Sequence, residues 1–167
     1  MNTTIQVNYI EGFNQQHLVK ANQAIQLVQD LVNSNAFKEA VLSVRRFKNP
    51  RVRRRTGRRR YSNQEILDLI LGGRDLNNPA DQIMNFRLRL YDSQVNEIGN
   101  TNMTTLIIST FKGYLEDNAV GCYAAHLLHE YMHTIGFTHS RFDIFGRDRT
   151  VPYKIGKIAR DLLGADC

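Results

Sequence analysis

The chain has 167 residues, of which 42% are hydrophobic, and a formal net charge of +6. This length favours a single domain, 1–167, with an ordinary hydrophobic core, and no apolar run approaches the roughly 20 residues of a membrane span. The first residues lack the basic and apolar regions of a secretory signal, so the compartment stays open, with the cytoplasm as the default and non-classical secretion as the alternative.

The first part of the chain predicts one strand and three helices. Residues 3–9 alternate apolar and polar side chains, which is typical of a strand. Residues 14–33 place apolar side chains at helical spacing after an asparagine suited to the N-cap, and a second helix is expected at about 35–42. Ser62 and Glu65 form a capping box, which predicts a third helix of about ten residues.

An intensely basic segment, 45–60, lies between the second and third of these helices. It contains ten lysines or arginines and no acid, whereas the rest of the chain carries 12 basic and 16 acidic residues. We expect a basic loop here. Its simplest role is a solvated surface loop. The alternatives are binding of an acidic partner, a substrate or an anionic membrane surface, and binding of nucleic acid.

The second part of the chain predicts two strands and two helices. Alternation predicts a strand at 84–91, a polar loop follows at 92–102, and the β-prone run 104–111 predicts another strand. Helical patterns occupy 118–135 and 153–163. Strands and helices in this order favour an α+β or α/β domain with a small twisted mixed sheet and helices packed on it.

The run HEYMHTIGFTH at 129–139 has the order HExxHxxGxxH. His129 and His133 are four residues apart, so they share one helix face and can reach one metal ion. Glu130 can act on a water molecule at that metal without being a ligand, and Gly136 lets the chain turn so that His139 supplies a third nitrogen. Three neutral histidines leave one position of a zinc ion open, as in catalytic sites.

The alternative is that these histidines are ordinary polar residues on the surface of a helix. The glycine and the third histidine at the motif positions make this alternative much weaker. A fourth histidine, His126, is interpreted as a neighbouring or surface residue and not as a ligand, because three ligands are already present. The two cysteines, Cys122 and Cys167, favour two free thiols, with a single disulfide bridge as the alternative.

The motif resembles that of the metzincin clan of zinc metallopeptidases. His129, His133 and His139 fall on the ligand positions, Glu130 on the general base and Gly136 on the turn glycine, whereas Ser140 stands at a position that varies between metzincin families. The resemblance implies an α+β domain with a long N-terminal helix, a sheet whose edge strand flanks a cleft, an active-site helix and a C-terminal helix.

The resemblance also implies a function, which is the hydrolysis of protein or peptide substrates with one catalytic Zn²⁺. Glu130 would take a proton from the attacking water and deliver it to the leaving amine. Tyr153 is the candidate donor to the developing oxyanion, with a packing or turn role as the alternative. The strand at 105–110 would bind substrate by edge pairing if it is not interior.

One hallmark of the clan is missing, because metzincins place a methionine in a tight turn after the third histidine. The four methionines of this chain precede that position: Met1, Met84, Met103 and Met132. Residues 150–153 stand where that turn would be, and Pro152 could provide a rigid apolar floor. A divergent member of the clan is therefore expected.

The second function considered is a non-enzymatic, metal-stabilised binding module that uses the basic segment to hold nucleic acid or an acidic partner. Glu130 separates the two functions, because a purely structural metal site needs no general base. Asp143 and Asp148 are within reach in sequence, and ligation by Asp143 would indicate a closed site.

Overall fold

The computed structural model describes residues 2–48, 50–52, 60–92, 98–139 and 146–167. Over these ranges the chain has a mixed α/β architecture with six α-helices and a four-stranded mixed sheet. The helices are α1 (Gln15–Asn33), α2 (Asn35–Leu42), α3 (Asn63–Leu71), α4 (Lys112–Asp117), α5 (Val120–Ile135) and α6 (Val151–Leu162). The strands are β1 (Thr4–Glu11), β2 (Ile83–Tyr91), β3 (Gly99–Asn102) and β4 (Ile107–Phe111).

Local sequence signals explain the elements of the first part of the chain. The Asn14 side chain accepts a hydrogen bond from the His17 backbone N–H at 2.9 Å and caps α1. Ser62 and Glu65 form the expected reciprocal capping box at the start of α3. Along β2, alternate side chains are buried, which confirms the predicted alternation. The predictions of β1, α1, α2, α3 and β2 are therefore confirmed to within about two residues.

The sheet has the strand order β1-β2-β4-β3. β1, β2 and β4 are parallel, whereas β3 pairs antiparallel with β4 and lies at the edge. The prediction of a loop throughout 92–102 is wrong at 99–102, because pairing with β4 makes this polar run a strand. The edge-strand interpretation of 105–110 is also wrong, since β4 begins at Ile107 and lies between β2 and β3.

Two helix boundaries also differ from the predictions. The helix expected at 118–135 begins at Val120, and a separate helix, α4, precedes it. The last helix begins at Val151, two residues earlier than expected, because Pro152 fits the first turn of a helix, where no backbone N–H is needed.

The core forms where α5 packs against α1, α6 and the sheet. Most side chains of α5 are buried, including Tyr123, Leu127, Leu128 and Tyr131. This position makes α5 a rigid support for the residues it carries. None of the helices in the described ranges combines the length and the apolar character that a membrane crossing requires.

Candidate metal centre

The C-terminal end of α5 carries the motif. Gly136 ends the helix with φ 109°, a left-handed conformation that a residue with a Cβ resists. Its backbone N–H donates to the carbonyl of His133 at 3.0 Å, and the N–H of Phe137 donates to the carbonyl of Met132, also at 3.0 Å. This reversal returns the chain towards α5 and brings His139 beside the two helical histidines.

The structure brings His129, His133 and His139 together into a group that could bind a metal ion. Each offers one ring nitrogen, and these three atoms lie within 4.8 Å of one another. The Nε2 atoms of His133 and His139 are 3.2 Å apart. Two nitrogens bound to one tetrahedral zinc at 2.0–2.1 Å would be about 3.3 Å apart. The spacing of this pair therefore fits two nitrogens bound to one metal ion.

The surroundings also set the protonation of the helical histidines. The Nδ1 of His133 lies 2.7 Å from the carbonyl oxygen of Phe137. An N–H donated to that carbonyl leaves the Nε2 lone pair directed to the cluster, as metal ligation requires. Burial, the largest cause, lowers the pKa of His133 and lowers the pKa of His129 well below its usual range. Both shifts favour the neutral form of the ring, which is the form that can bind a metal ion.

Glu130 lies beside this cluster and is nearly buried, with 5% of its surface exposed. One carboxylate oxygen is 3.9 Å from the Nε2 of His129. The other accepts a hydrogen bond of 2.7 Å from the hydroxyl of Thr101 on β3. Burial raises the pKa of Glu130 to about 7, and the Thr101 hydrogen bond opposes that rise. A carboxylate with a pKa near 7 is a good proton acceptor at neutral pH.

His126 lies behind Glu130, one helical turn earlier on α5. Its Nδ1 is 3.8 Å from a Glu130 oxygen, and its Nε2 is 3.1 Å from the hydroxyl of Thr110. A Cβ at Gly99 would lie 2.8 Å from the His126 ring, so only glycine lets β3 approach this closely. The interpretation of His126 as a neighbour of the cluster fits these contacts.

Tyr153 lies against the cluster from the first turn of α6. The centre of its ring is 4.7 Å from that of His129 and 4.7 Å from that of His139. The Arg147 guanidinium carbon lies 4.6 Å from the Tyr153 ring centre. A Cβ at Gly156 would lie 3.0 Å from the Cβ of His129, so this glycine allows α6 to pack closely on α5.

The cluster opens into a cavity of about 770 Å³. Its walls include the three histidines, Glu130 and Tyr153, together with β3 on one side and Asp148 on another. Asp143 and Ser140 lie outside the described residues, as do 49 and 53–59 of the basic segment. The candidate ligands, the candidate base and the candidate oxyanion donor therefore line one cavity, whose volume lies within the range of ligand-binding sites.

A disulfide between Cys122 and Cys167 also lines this cavity. It joins the first turn of α5 to the segment after α6, across a sequence separation of 45 residues. The favoured prediction of two free thiols is therefore wrong, because the fold returns α6 alongside α5 and places the two Cα atoms 5.8 Å apart.

Sequence reasoning missed Thr101 as a residue of this site. It stands in a polar run, NTN, that has no strand-like alternation. Only its pairing with β4 brings it over α5, where its hydroxyl meets Glu130. The one local signal was Gly99, since an isolated glycine near a strand often marks a close approach.

Comparisons of this chain with models of protein families, with curated proteins and with solved structures found no match. The interpretation of the site therefore depends on its own residues and their geometry.

Acidification is expected to destabilise the protein through His126. Burial, with a smaller contribution from His133, lowers the pKa of His126 to about 3. The unfolded chain binds a proton there below about pH 6.5, whereas the folded protein does not until about pH 3. The stability from this group is thus present above pH 6.5 and falls by about 1.4 kcal/mol for each pH unit below it.

Urea unfolding at pH 7 and pH 5, with a chelator present, measures this effect in wild type and in His126→Gln. The variant should lose about 2 kcal/mol less than wild type between the two pH values. Equal losses in the two proteins would contradict the assignment of a neutral, buried His126.

Proposed function

We propose that this protein is a zinc-dependent metalloendopeptidase, a divergent relative of the metzincins. The observation that carries the proposal is the convergence of three histidine ring nitrogens with a buried carboxylate beside them, in a cavity open to a substrate. A structural zinc site would use a fourth protein ligand in place of such an opening. The α+β layout, with a long N-terminal helix and the motif helix in the core, also supports this family assignment.

The donor set supports zinc as the metal. Imidazole nitrogens suit zinc among the common divalent ions, and the 3.2 Å between the Nε2 atoms of His133 and His139 fits one tetrahedral ion. His129, His133 and His139 would hold it. When bound, zinc supplies a Lewis acid that polarises a carbonyl group and makes water more acidic.

Glu130 is the proposed general base. It accepts a proton from the attacking water and donates it to the amine that leaves when the peptide bond breaks. Thr101 holds one oxygen of the carboxylate by its 2.7 Å hydrogen bond, so the other oxygen is left to face the His129 side of the cavity. Burial by the surrounding core keeps the carboxylate basic enough for the transfer.

Tyr153 has two roles in this proposal. Its ring packs against His129 and His139 and restricts their orientation. Burial raises the pKa of Tyr153, so the phenol keeps its proton at neutral pH and can donate a hydrogen bond to a developing oxyanion. With Pro152, it occupies the place in the chain where metzincins have their methionine turn.

The edge strand β3 is the proposed substrate-binding strand. Its residues Gly99, Asn100 and Thr101 line the cavity, and its outer edge lacks a neighbouring strand in the described sheet. An extended peptide can add to such an edge through backbone hydrogen bonds. The sequence predicts this role for the strand at 105–110. We assign it to β3, because β4 is interior.

Metal content tests the proposal directly. Mass spectrometry of purified protein should find about one zinc per chain in wild type and none in His129→Ala/His133→Ala, since two of three ligands are lost. The matched control is His17→Ala, at a histidine on α1 that pairs with Glu116 outside the cluster. Wild type that binds no metal even after zinc is supplied would contradict the peptidase proposal and favour the non-enzymatic alternative.

Thr101→Val is expected to lower kcat about tenfold, with KM and zinc content unchanged. Valine keeps the shape of threonine but removes the hydroxyl that holds Glu130, so the base loses its fixed orientation. Thr101→Ser should restore most of the rate, and Thr105→Val, at an exposed threonine of the following turn, should have no effect. A Thr101→Val protein with wild-type kcat would contradict this positioning role.

A further inference from the structure

A second cavity lies on the basic segment, and its described lining is strongly cationic. It has a volume of about 440 Å³ and is lined by nine described residues: Arg45, Arg46, Phe47, Lys48, Pro50, Arg60, Tyr61, Asn63 and Arg149. Four arginines and one lysine thus surround it, and none of these nine residues is acidic. It is lined by different residues from the metal cavity.

Among the described residues, no acidic side chain pairs with the arginines of this cavity. Within the described part of the chain, none of Arg45, Arg46, Arg60 and Arg149 forms an ion pair. Guanidinium groups that converge without an anion repel one another, and this repulsion is relieved when an anion enters. The chain has 16 acidic residues, so the absence of acids from the nine described lining residues is a local property.

The backbone that carries these cations is braced at three places. The N–H of Lys48 donates to the carbonyl of Arg149 at 2.8 Å, which joins the basic segment to the turn before α6. The N–H of Tyr61 donates to the carbonyl of Pro50 at 2.8 Å. The side-chain amide of Asn63 donates to the carbonyl of Val44 at 2.6 Å. These hydrogen bonds therefore hold in place the backbone that carries the cations, which reduces the conformational entropy lost when a ligand binds.

From this lining we propose that the cavity binds a compact, multiply charged phosphate ligand. A phosphate group carries about two negative charges and several acceptor oxygens, which matches several guanidinium forks better than a single carboxylate does. The concave shape and the small volume suit a compact group rather than an extended chain. The phosphate group could belong to a soluble compound or to a lipid headgroup, because both present the same chemistry.

Calorimetric titration with inorganic tripolyphosphate tests this site in the full chain. Wild type should bind with a dissociation constant below about 1 mM, and the affinity should fall when NaCl rises from about 50 to 300 mM, because salt screens the charges. Arg46→Gln/Arg60→Gln/Arg149→Gln should bind at least about tenfold more weakly. These three side chains are exposed, so the variant should fold, and its thermal melting checks this.

A second triple variant controls for overall charge. Lys20→Gln/Arg89→Gln/Lys112→Gln removes an equal number of positive charges, three, from α1, β2 and α4, away from the cavity lining. This variant should retain wild-type affinity to within about threefold. An equal loss in both variants would overturn the proposal, because it would show only a general attraction of anions to a basic protein. Undetectable binding of tripolyphosphate by wild type would also overturn it.

Two further probes identify the source of the phosphate. Sedimentation of wild type, but not of the cavity variant, with vesicles containing phosphatidic acid would assign a lipid headgroup. Binding of tripolyphosphate without vesicle binding would assign a soluble phosphate compound. Polyglutamate that binds more tightly than tripolyphosphate, and depends on the same arginines, would overturn the choice of phosphate in favour of an acidic polypeptide.

Discussion

Glu130→Gln is expected to lower kcat/KM for peptide hydrolysis by about 10²–10⁴-fold, the range associated with loss of a general acid–base group. The amide cannot accept the proton of the attacking water, so the water remains a poor nucleophile. The Thr101 hydroxyl can still donate to the amide oxygen, and the buried position keeps a side chain of the same shape. We therefore expect the fold and the zinc content to be unchanged.

Cleavage of casein and of a quenched fluorescent peptide mixture measures this effect, together with zinc content by mass spectrometry. Glu39→Gln provides the matched control, since it makes the same chemical change at an exposed position on α2. Unchanged hydrolysis in Glu130→Gln would exclude Glu130 as the base. Hydrolysis that persists in wild type after chelation of zinc would instead point to a contaminating protease or to another mechanism.

Removal of the disulfide is expected to have the largest effect on stability. The bond spans 45 residues of sequence. A crosslink of that length lowers the entropy of the unfolded chain, which corresponds to about 4 kcal/mol of stability in the chain-entropy model. Cys122→Ala/Cys167→Ala should therefore unfold at a much lower urea concentration than wild type. Alanine is the suitable replacement because Cys122 is fully buried and a serine would bury a hydroxyl.

Reduction of wild type breaks the disulfide but keeps both cysteine side chains. It therefore distinguishes the contribution of the covalent bond to stability from that of the side chains. Reduced wild type and the double-alanine variant should show similar losses in the free energy of unfolding, since both lack the crosslink. A small loss in the reduced protein and a large one in the variant would assign the effect to packing around Cys122 and not to the covalent bond.

Local signals predicted much of the fold because they depend on neighbouring residues alone. Asn14 caps α1 and Ser62 caps α3 through bonds to residues three positions later, which a sequence displays directly. β3 could not be predicted in this way, since its residues become a strand only by pairing with β4. The order of the strands likewise depends on how the chain crosses between them, which no local pattern specifies.

The candidate site, like the fold, has parts that local sequence predicts and parts that it does not. His129, Glu130 and His133 lie on one helix, and Gly136 places His139 beside them, so the spacing in the motif predicted the whole cluster. Thr101 acts on Glu130 from a position 29 residues away in sequence, and Cys167 meets Cys122 across 45 residues. Contacts of this kind arise when whole helices and strands pack together. The sequence alone left the disulfide as an alternative and did not indicate the contact of Thr101 with Glu130.

The Cys122–Cys167 bond also determines how this molecule responds to backbone cleavage. The three histidines, Glu130 and Tyr153 all lie between the two cysteines in sequence. A single cut in the backbone anywhere between those cysteines leaves two fragments that remain one covalent molecule. A nicked chain would migrate as intact protein on a non-reducing gel and separate only after thiol reduction. Intactness of a preparation should therefore be judged on reduced samples.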